Sequence, residues 1–392
     1  MGSQRTIIKP EMIRWARSRT GLTVQDFAKK MRVSESRIIE WESGITPITM
    51  GKAQQLANLS LIPLGSLFLS KVPNRDIHLP DFRTINNSPI RKPSLELEAT
   101  VLEMQEKQTW LREYLIDNDT PELTWIKSIS TQTPVSLAVR KIQNTLSIST
   151  DEINSCLTWD DYFALLVRKI EDAGVTVIRN GVVGNNSHRP LDIDEFRGFV
   201  LVDTVAPLIF INGKDNKNPQ MFTLIHELVH LFMGESGLIG PTNNMSNTIE
   251  RYCNKVAAEF LVPEIKLRSS WNNLLLEQYD TRSIIKKLSK EFKVSSCVII
   301  LKCQDACLIS SSLASELLEE EEYNFKVQKK NKVSGGDFYA NLKFRVGQSF
   351  ARIVISELYN QNITYGDAFR LLRVKDMQGV KMLSEKVGLP IL

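Results

Sequence analysis

The segment His226-Glu227-Leu228-Val229-His230 constrains this chain of 392 residues more than any other feature. The flanking residues 221–225 and 231–233 are mostly apolar, which predicts a helix that is buried on most of its faces. Two histidines four positions apart lie on one face of a helix, where both rings can bind a single metal ion. A buried glutamate beside them needs such a partner, because an uncompensated buried charge is unfavourable. The alternative is a surface helix that carries these residues by chance.

The glutamate in this segment has a defined role when a metal is bound. Zinc makes water acidic enough to ionise near neutral pH, and Glu227 is placed to accept the proton. This is the H-E-x-x-H arrangement of zinc hydrolases. A catalytic zinc takes three protein ligands and keeps one position open, so a third ligand is expected from a neighbouring helix.

Glu250 is the candidate for the third ligand. It opens residues 250–263, whose apolar positions predict a helix buried on one side, with Glu250 and Asn254 near the inner face. Asn254 can hold a ligand histidine through its second ring nitrogen, a support that metal sites normally have. A solvated surface glutamate is the alternative for Glu250, whereas Glu235 follows His230 too closely to be a comfortable ligand.

The pattern of elements around this site predicts an α+β fold. Three β-branched and aromatic runs that precede the motif predict strands at residues 174–178, 198–203 and 208–212. Amphipathic patterns predict helices at residues 95–115, 135–146, 159–173, 281–292 and 296–303. Helical patterns continue in residues 337–392, and the sequence leaves the role of this tail open.

The beginning of the chain predicts a small bundle of short helices. Thr23 caps a helix over residues 24–31, and Ser34 caps another over residues 35–42. The short turn between them is the layout of a helix-turn-helix. Residues 1–75 contain 12 Lys or Arg against 5 Asp or Glu, whereas the whole chain has a net charge of only +4. A basic module of this kind faces an anion, and nucleic acid is the leading candidate.

This region resembles the Cro/C1-type (XRE) DNA-binding domains, through Val33-Ser34, Ile38, Trp41-Glu42 and Gly44. The resemblance implies that Ile38 and Trp41 pack in the core and that the start of the second helix faces the major groove. The residues expected there are Ser34, Glu35, Ser36 and Arg37, with Gln25, Lys29 and Lys30 on phosphates. Glu35 and Glu40 count against DNA binding, because a carboxylate is repelled unless it accepts from cytosine. A protein-interaction or dimerisation module is therefore the alternative.

The metal motifs resemble the ImmA/IrrE family of metallopeptidases. The matching residues are Phe222 to His230, Glu250, Cys253-Asn254, Ala257-Ala258 and Leu261-Val262-Pro263. Phe196 to Phe199, Ile211-Asn212 and Pro80 to Arg83 are also similar to members with an N-terminal helix-turn-helix. The resemblance implies Zn²⁺ bound by His226, His230 and Glu250, with Glu227 as general base. It also implies a zincin-like α+β domain in which a substrate strand adds to the edge of a small sheet.

We therefore expect four regions along the chain. They are a helix-turn-helix domain at 1–72, a helical linker region at 73–150, a zincin-like metallopeptidase domain at 151–315 and a helical C-terminal region at 316–392. Family activity is cleavage of a partner repressor, and other members act as antitoxin-like partners of nuclease toxins. Two hypotheses follow: a zinc-dependent site-specific endopeptidase that also binds DNA, or a DNA-binding regulator or antitoxin whose zinc domain mainly holds a toxin.

The expected partners are a protein substrate, DNA and a second copy of the chain. No apolar run approaches the roughly 18 residues that span a membrane, and no secretory segment opens the chain, so we expect a cytoplasmic protein. The five cysteines do not form a disulfide framework and are interpreted as structural. His188 and Tyr252 are weak candidates for an oxyanion donor, with a structural role as the alternative.

Overall fold

The computed structural model describes residues 8–73, 93–234, 238–239, 248–331 and 342–389. The chain divides into two compact units, one formed by Met1–His78 with Arg91–Glu103 and the other by Leu79–Ile90 with Met104–Leu392. Two features named above, Pro80 to Arg83 and Glu235, lie outside the described residues. No helix in the described part of the chain is long and apolar enough to cross a membrane.

The first unit contains the predicted helical bundle. Its helices are α1 (Pro10–Arg19), α2 (Val24–Met31), α3 (Glu35–Ser43) and α4 (Met50–Ser60), followed by a 3₁₀ turn (Leu64–Phe68). Ile38 and Trp41 are buried in its core, as predicted. Arg17 forms two hydrogen bonds with Glu42, at 2.5 and 3.1 Å, and so ties α1 to the end of α3. Such a bidentate pair fixes helix geometry more firmly than a single ion pair does.

A small mixed sheet forms the centre of the second unit. Its strands are β1 (Thr176–Asn180), β2 (Gly198–Leu201), β3 (Leu208–Asn212) and β4 (Leu238–Ile239). The strand order is β1-β3-β2-β4, with β1 parallel to β3 and with β2 antiparallel to both β3 and β4. Every residue of β2 and β3 is buried, which explains their continuous apolar character. The sequence did not predict β4, because two residues are too few to show a period.

Helices surround this sheet. Before the sheet come α5 (Leu95–Asp117), α6 (Val135–Thr145), α7 (Thr150–Ser155) and α8 (Trp159–Asp172). From β3 onwards the chain forms α9 (Lys217–Met233), α10 (Thr248–Leu261), α11 (Glu264–Leu276), α12 (Thr281–Phe292), α13 (Ser296–Asp305) and α14 (Ser311–Asn331). α9 packs against β2 and β3 on one side and against α10 on the other. The predicted α+β class is confirmed.

The C-terminal helices form a core of their own. They are α15 (Leu342–Val346), α16 (Gln348–Tyr359), α17 (Tyr365–Leu372) and α18 (Met377–Val387). Phe350, Val354, Leu372 and Leu383 are fully buried in this cluster, and Leu111 of α5 joins it. α15 and α16 also contact β1, so this group of helices packs directly on the sheet.

Candidate functional site

The histidine segment lies in the C-terminal half of α9, where every residue from Thr223 to Met233 is buried. His226 and Glu227 are completely inaccessible to solvent, and His230 is 2% exposed. Leu224, Leu228 and their neighbours fill the core around them, so the helix has no solvated face along this stretch. The prediction of a buried helix is confirmed, and the surface-helix alternative is excluded.

α10 brings Glu250 against both histidines. The Nε2 atoms of His226 and His230 are 3.0 Å apart. Glu250 places Oε2 3.2 Å from the His226 Nε2 and Oε1 3.3 Å from the His230 Nε2. On the other side of the first ring, Nδ1 of His226 lies 2.9 Å from Oδ1 of Asn254. An amide oxygen only accepts, so Nδ1 donates this hydrogen bond and the lone pair of His226 is on Nε2.

These distances fit a tetrahedral zinc ion. Ligand atoms about 2.0–2.1 Å from zinc are separated from each other by about 3.3 Å in a tetrahedron, close to the spacings given above. The hydrogen bond to Asn254 leaves the His226 lone pair on Nε2, next to His230 Nε2 and the Glu250 carboxylate, where a metal ion can accept it. Among the described residues, both carboxylate oxygens of Glu227 are buried with no hydrogen-bond partner. Such orphaned acceptors are what a bound metal and its water satisfy.

Cys253 is a second residue of α10 that approaches the histidines. A ligand atom from each of His226, His230 and Cys253 lies within 4.8 Å of the others. Sequence reasoning treated this cysteine as structural, although its position three residues after Glu250 places both on one helix face. Its sulfur also lies 3.5 Å from the Met233 sulfur. Glu250 approaches the two Nε2 atoms more closely, so it is the stronger candidate.

Burial dominates the protonation of the two groups on α9. It raises the pKa of Glu227 well above the ordinary value, and the nearby charge of Glu250 raises it further. Burial also lowers the pKa of His226, which favours the neutral imidazole that binds metals. Burial alone would raise the pKa of Glu250, but the adjacent imidazoles of His226 and His230 hold that pKa far below the usual range.

β2 passes close beside Glu227 at a glycine. A Cβ atom on Gly198 would lie 2.6 Å from the Thr223 methyl group, 2.9 Å from the Phe210 carbonyl oxygen and 3.2 Å from Oε1 of Glu227. Only glycine therefore fits between the strand and α9. On its other edge Gly198 pairs with Ile239 of β4. Gly198 belongs to the segment Phe196 to Phe199, whose sequence resembles the family but does not by itself show this close approach to Glu227.

Neither weak candidate for an oxyanion donor points to the histidines. The Tyr252 hydroxyl is 2.8 Å from the Thr133 carbonyl oxygen, to which it donates. His188 is exposed in the loop that precedes β2, where its backbone N–H bonds Asn186. The structure thus gives Tyr252 a structural contact and gives His188 no contact with this site.

The predicted DNA-contacting residues all lie on the surface of the first unit. Gln25, Lys29, Lys30, Ser34, Glu35, Ser36 and Arg37 are all exposed. Lys29 pairs with Asp26 at 3.6 Å, and Arg37 pairs with Glu40 at 2.9 Å. Exposed pairs of this kind are weak and can exchange for phosphate. Ser34 caps α3 by accepting from the backbone N–H of Arg37.

A buried H-E-x-x-H helix that packs on a small mixed sheet and receives a carboxylate from the next helix defines a zincin-like domain. Residues 170–303 match the family model described as the IrrE N-terminal-like domain, and residues 13–59 match the model described as helix-turn-helix. The chain therefore carries an ImmA/IrrE-like metallopeptidase-family domain behind an XRE-type helix-turn-helix domain. No curated protein and no solved structure matches the chain.

Proposed function

We propose that the chain is a zinc-dependent, site-specific endopeptidase that cleaves a regulatory protein, such as a repressor. The observation that carries this proposal is the triangle of His226 Nε2, His230 Nε2 and the Glu250 carboxylate, beside the orphaned carboxylate of Glu227. A binding scaffold needs the three ligands at most. It has no need of Glu227, because burying an acid that does not hold the metal is unfavourable.

Each residue of this site has a separate task. His226, His230 and Glu250 hold the metal, and Asn254 fixes the His226 ring by accepting from its Nδ1. When bound, Zn²⁺ would polarise the peptide carbonyl as a Lewis acid and would lower the pKa of water, so that hydroxide is available near neutral pH. Glu227 accepts the proton of the attacking water and delivers it to the departing amine.

The restricted surroundings of the site favour one substrate over general proteolysis. α9 is enclosed by the sheet and α10, and the β2 edge next to Glu227 pairs with β4 at Gly198 and Phe199. An extended substrate that adds to this edge must therefore replace or extend the β4 pairing. We propose that a specific partner supplies such a segment and that the N-terminal helix-turn-helix brings the enzyme to DNA where the partner is bound.

The test of this function is Glu227→Gln, which removes the proton acceptor but keeps the shape of the side chain. We expect the variant to keep about one zinc per chain and to lose turnover by at least 10²-fold, the size of a general-base contribution. The substrate to test is the regulator encoded by the neighbouring gene, produced together with the enzyme. Glu277→Gln, an exposed acid in the same unit, is the matched control.

The alternative function, an antitoxin that holds a nuclease toxin, predicts a different result from the same pair of variants. If Glu227→Gln performs the biological role as fully as Glu277→Gln, proteolysis is not the function of this domain. The zinc content of each variant is measured in parallel, so that loss of metal is not mistaken for loss of chemistry.

A further inference from the structure

The C-terminal helices α16, α17 and α18 repeat the order of a helix-turn-helix domain. α16 packs against both α17 and α18, and in the N-terminal domain α1 packs against α3 and α4 while α2 packs against α3. Neither family match includes residues 342–389, and the sequence analysis left their role open. The local construction of α17 and α18 can be compared with that of α2 and α3 in the same chain.

The first helix of each pair, α2 in the N-terminal domain and α17 in the C-terminal group, is capped in the same way. The Thr23 hydroxyl accepts from the backbone N–H of Asp26 at 3.1 Å and donates to its carboxylate at 2.8 Å. The Thr364 hydroxyl accepts from the backbone N–H of Asp367 at 3.1 Å and donates to its carboxylate at 2.7 Å. The helices that follow, α2 and α17, each have eight residues.

The turns after these helices also correspond. Each helix ends at a left-handed arginine, Arg32 with φ 53° and Arg373 with φ 54°. The next residue is a valine in both, and its backbone N–H bonds a carbonyl five residues earlier at 3.1 Å, from Val33 to Ala28 and from Val374 to Phe369. This 6→1 hydrogen bond is the Schellman ending of a helix.

The second helix of each pair, α3 and α18, begins at a residue whose side chain caps the helix. Ser34 caps α3 by accepting from the backbone N–H of Arg37, and Asp376 caps α18 by accepting from that of Gly379. Three residues separate α2 from α3 and four separate α17 from α18. Both lengths fall within the 3–4 residues of helix-turn-helix connections.

This layout alone does not make a DNA-binding surface, as α12 and α13 show. They too are joined by a left-handed residue, Lys293, followed by a serine cap, Ser295. The middle of α13 is buried, however, from Val298 to Ile300 and again at Lys302 and Cys303. α18 differs because it keeps one face exposed, with Gln378, Lys381 and Glu385 along it.

The charge of α18 favours an anionic partner. Residues 375–387 contain three lysines and two acids, whereas residues 34–43 of the N-terminal domain contain one arginine and three acids. Lys375, Lys381 and Lys386 are exposed, and their side chains make no ion pair or hydrogen bond with any residue that the structure describes. One of the two acids, Asp376, is already engaged as the helix cap.

We infer that α16–α18 are a second helix-turn-helix that binds duplex DNA, with α18 in the major groove. The exposed lysines then contact phosphates, and Gln378 on the first turn of α18 faces base edges, where glutamine pairs with adenine. The alternative partner for the exposed face of α18 is an acidic protein. DNA fits better because the same helix-turn-helix construction, with an exposed second helix, occurs at the N-terminal domain. The inference is independent of whether the peptidase is active.

The test uses the full-length protein and a fluorescently labelled duplex, with affinity measured from about 50 to 200 mM salt. Lys381→Gln with Lys386→Gln removes two cations from α18. Lys286→Gln with Lys290→Gln, two exposed lysines of α12, is the control for the change in net charge. All variants are also made with Lys29→Gln and Lys30→Gln, so that binding by the N-terminal domain does not hide the effect.

Loss of two phosphate contacts should reduce the slope of log affinity against log salt by about 1.8. The difference in affinity between the α18 variant and the parent should then grow about 12-fold from 200 to 50 mM salt. Lys381→Arg with Lys386→Arg keeps the charge and should restore binding. Circular dichroism checks that both glutamine variants are folded. If the α18 variant then binds DNA as the α12 control does, α18 does not bind DNA. Its partner would then be a protein.

Discussion

Two residues of α10, Glu250 and Cys253, face the histidines, and they differ in what they offer a metal. Glu250 reaches both Nε2 atoms, at 3.2 and 3.3 Å. Cys253 lies within the wider group of possible ligand atoms and contacts the Met233 sulfur. A third protein ligand from either residue leaves a catalytic zinc one open position, whereas ligation by both closes the site. The number of ligands that α10 supplies, one or two, therefore decides whether the site can catalyse a reaction.

We expect Glu250→Gln to weaken zinc binding by more than the 10–100-fold that loss of a supporting residue typically causes. Cys253→Ser should change it by less than about tenfold, because we expect that thiol to be a packing group. Zinc affinity is measured by competition with a chromophoric chelator. The opposite order of effects would assign the third position to the cysteine, and equal large losses would indicate a closed, structural site.

Among the elements, α8 and α16 are joined through one carboxylate at a helix end. Oε1 of Glu171 accepts from the backbone N–H groups of Gln348 and Ser349, at 3.0 and 3.3 Å, and from the Ser349 hydroxyl at 3.3 Å. Gly347, just before α16, has φ 88° and approaches Thr176 and Ile178 of β1. A side-chain carboxylate from the sheet-bearing domain thus caps the first long helix of the C-terminal group.

This contact should make stability depend on pH. Burial raises the pKa of Glu171 to about 7, above the ordinary value of 4.5, despite the hydrogen bonds that oppose the change. The folded state therefore holds more protons than the unfolded state, and stability falls as pH rises from about 4.5 to 7. The upper limit of the loss is about 3 kcal/mol.

Glu171→Gln keeps an acceptor oxygen but cannot ionise, so we expect it to melt higher than the parent at pH 8 and equally at pH 5. The exposed neighbour Asp172→Asn is the control and should melt like the parent at both pH values. A parent whose melting temperature does not fall between these pH values would show that the backbone donors keep Glu171 ionised when folded.

At the scale of the whole molecule, the two compact units differ in what stabilises them. The first has a closed apolar core and the Arg17–Glu42 pair. The second buries His226 and Glu227 beside the partly exposed Glu250, and among the described residues the Glu227 carboxylate has no hydrogen-bond partner. A metal that binds only the folded state adds stability by mass action, about 2.7 kcal/mol when its free concentration is 100 times the dissociation constant.

Removal of metal with a chelator should therefore lower the melting temperature of the second unit and leave that of the first unchanged. Calorimetry of the full chain, with and without chelator, measures both transitions. His230→Ala, which lacks a ligand, is the control and should be insensitive to chelator. A chelator-independent transition in the unaltered chain would contradict the proposed metal centre.

Much of the local structure could be predicted, because it depends on residues close together in sequence. Helix α2 and strand β3 were predicted with the bounds that the structure shows, from capping and periodicity. Strand β4 was not, since its two residues form a strand only through pairing with Gly198 and Phe199. The role of Glu171 was equally invisible, because its partners follow it by 177 and 178 residues.

The sequence by itself determined that His226 and His230 share one face of a buried helix and that an acidic residue lies between them. This follows from the period of an α-helix and from the apolar flanks. Only the tertiary structure decided which residues of α10 meet those histidines, that Glu227 has no partner among the described residues, and that α17 and α18 are capped and joined as α2 and α3 are. Those outcomes depend on packing between distant segments, which a local pattern does not encode.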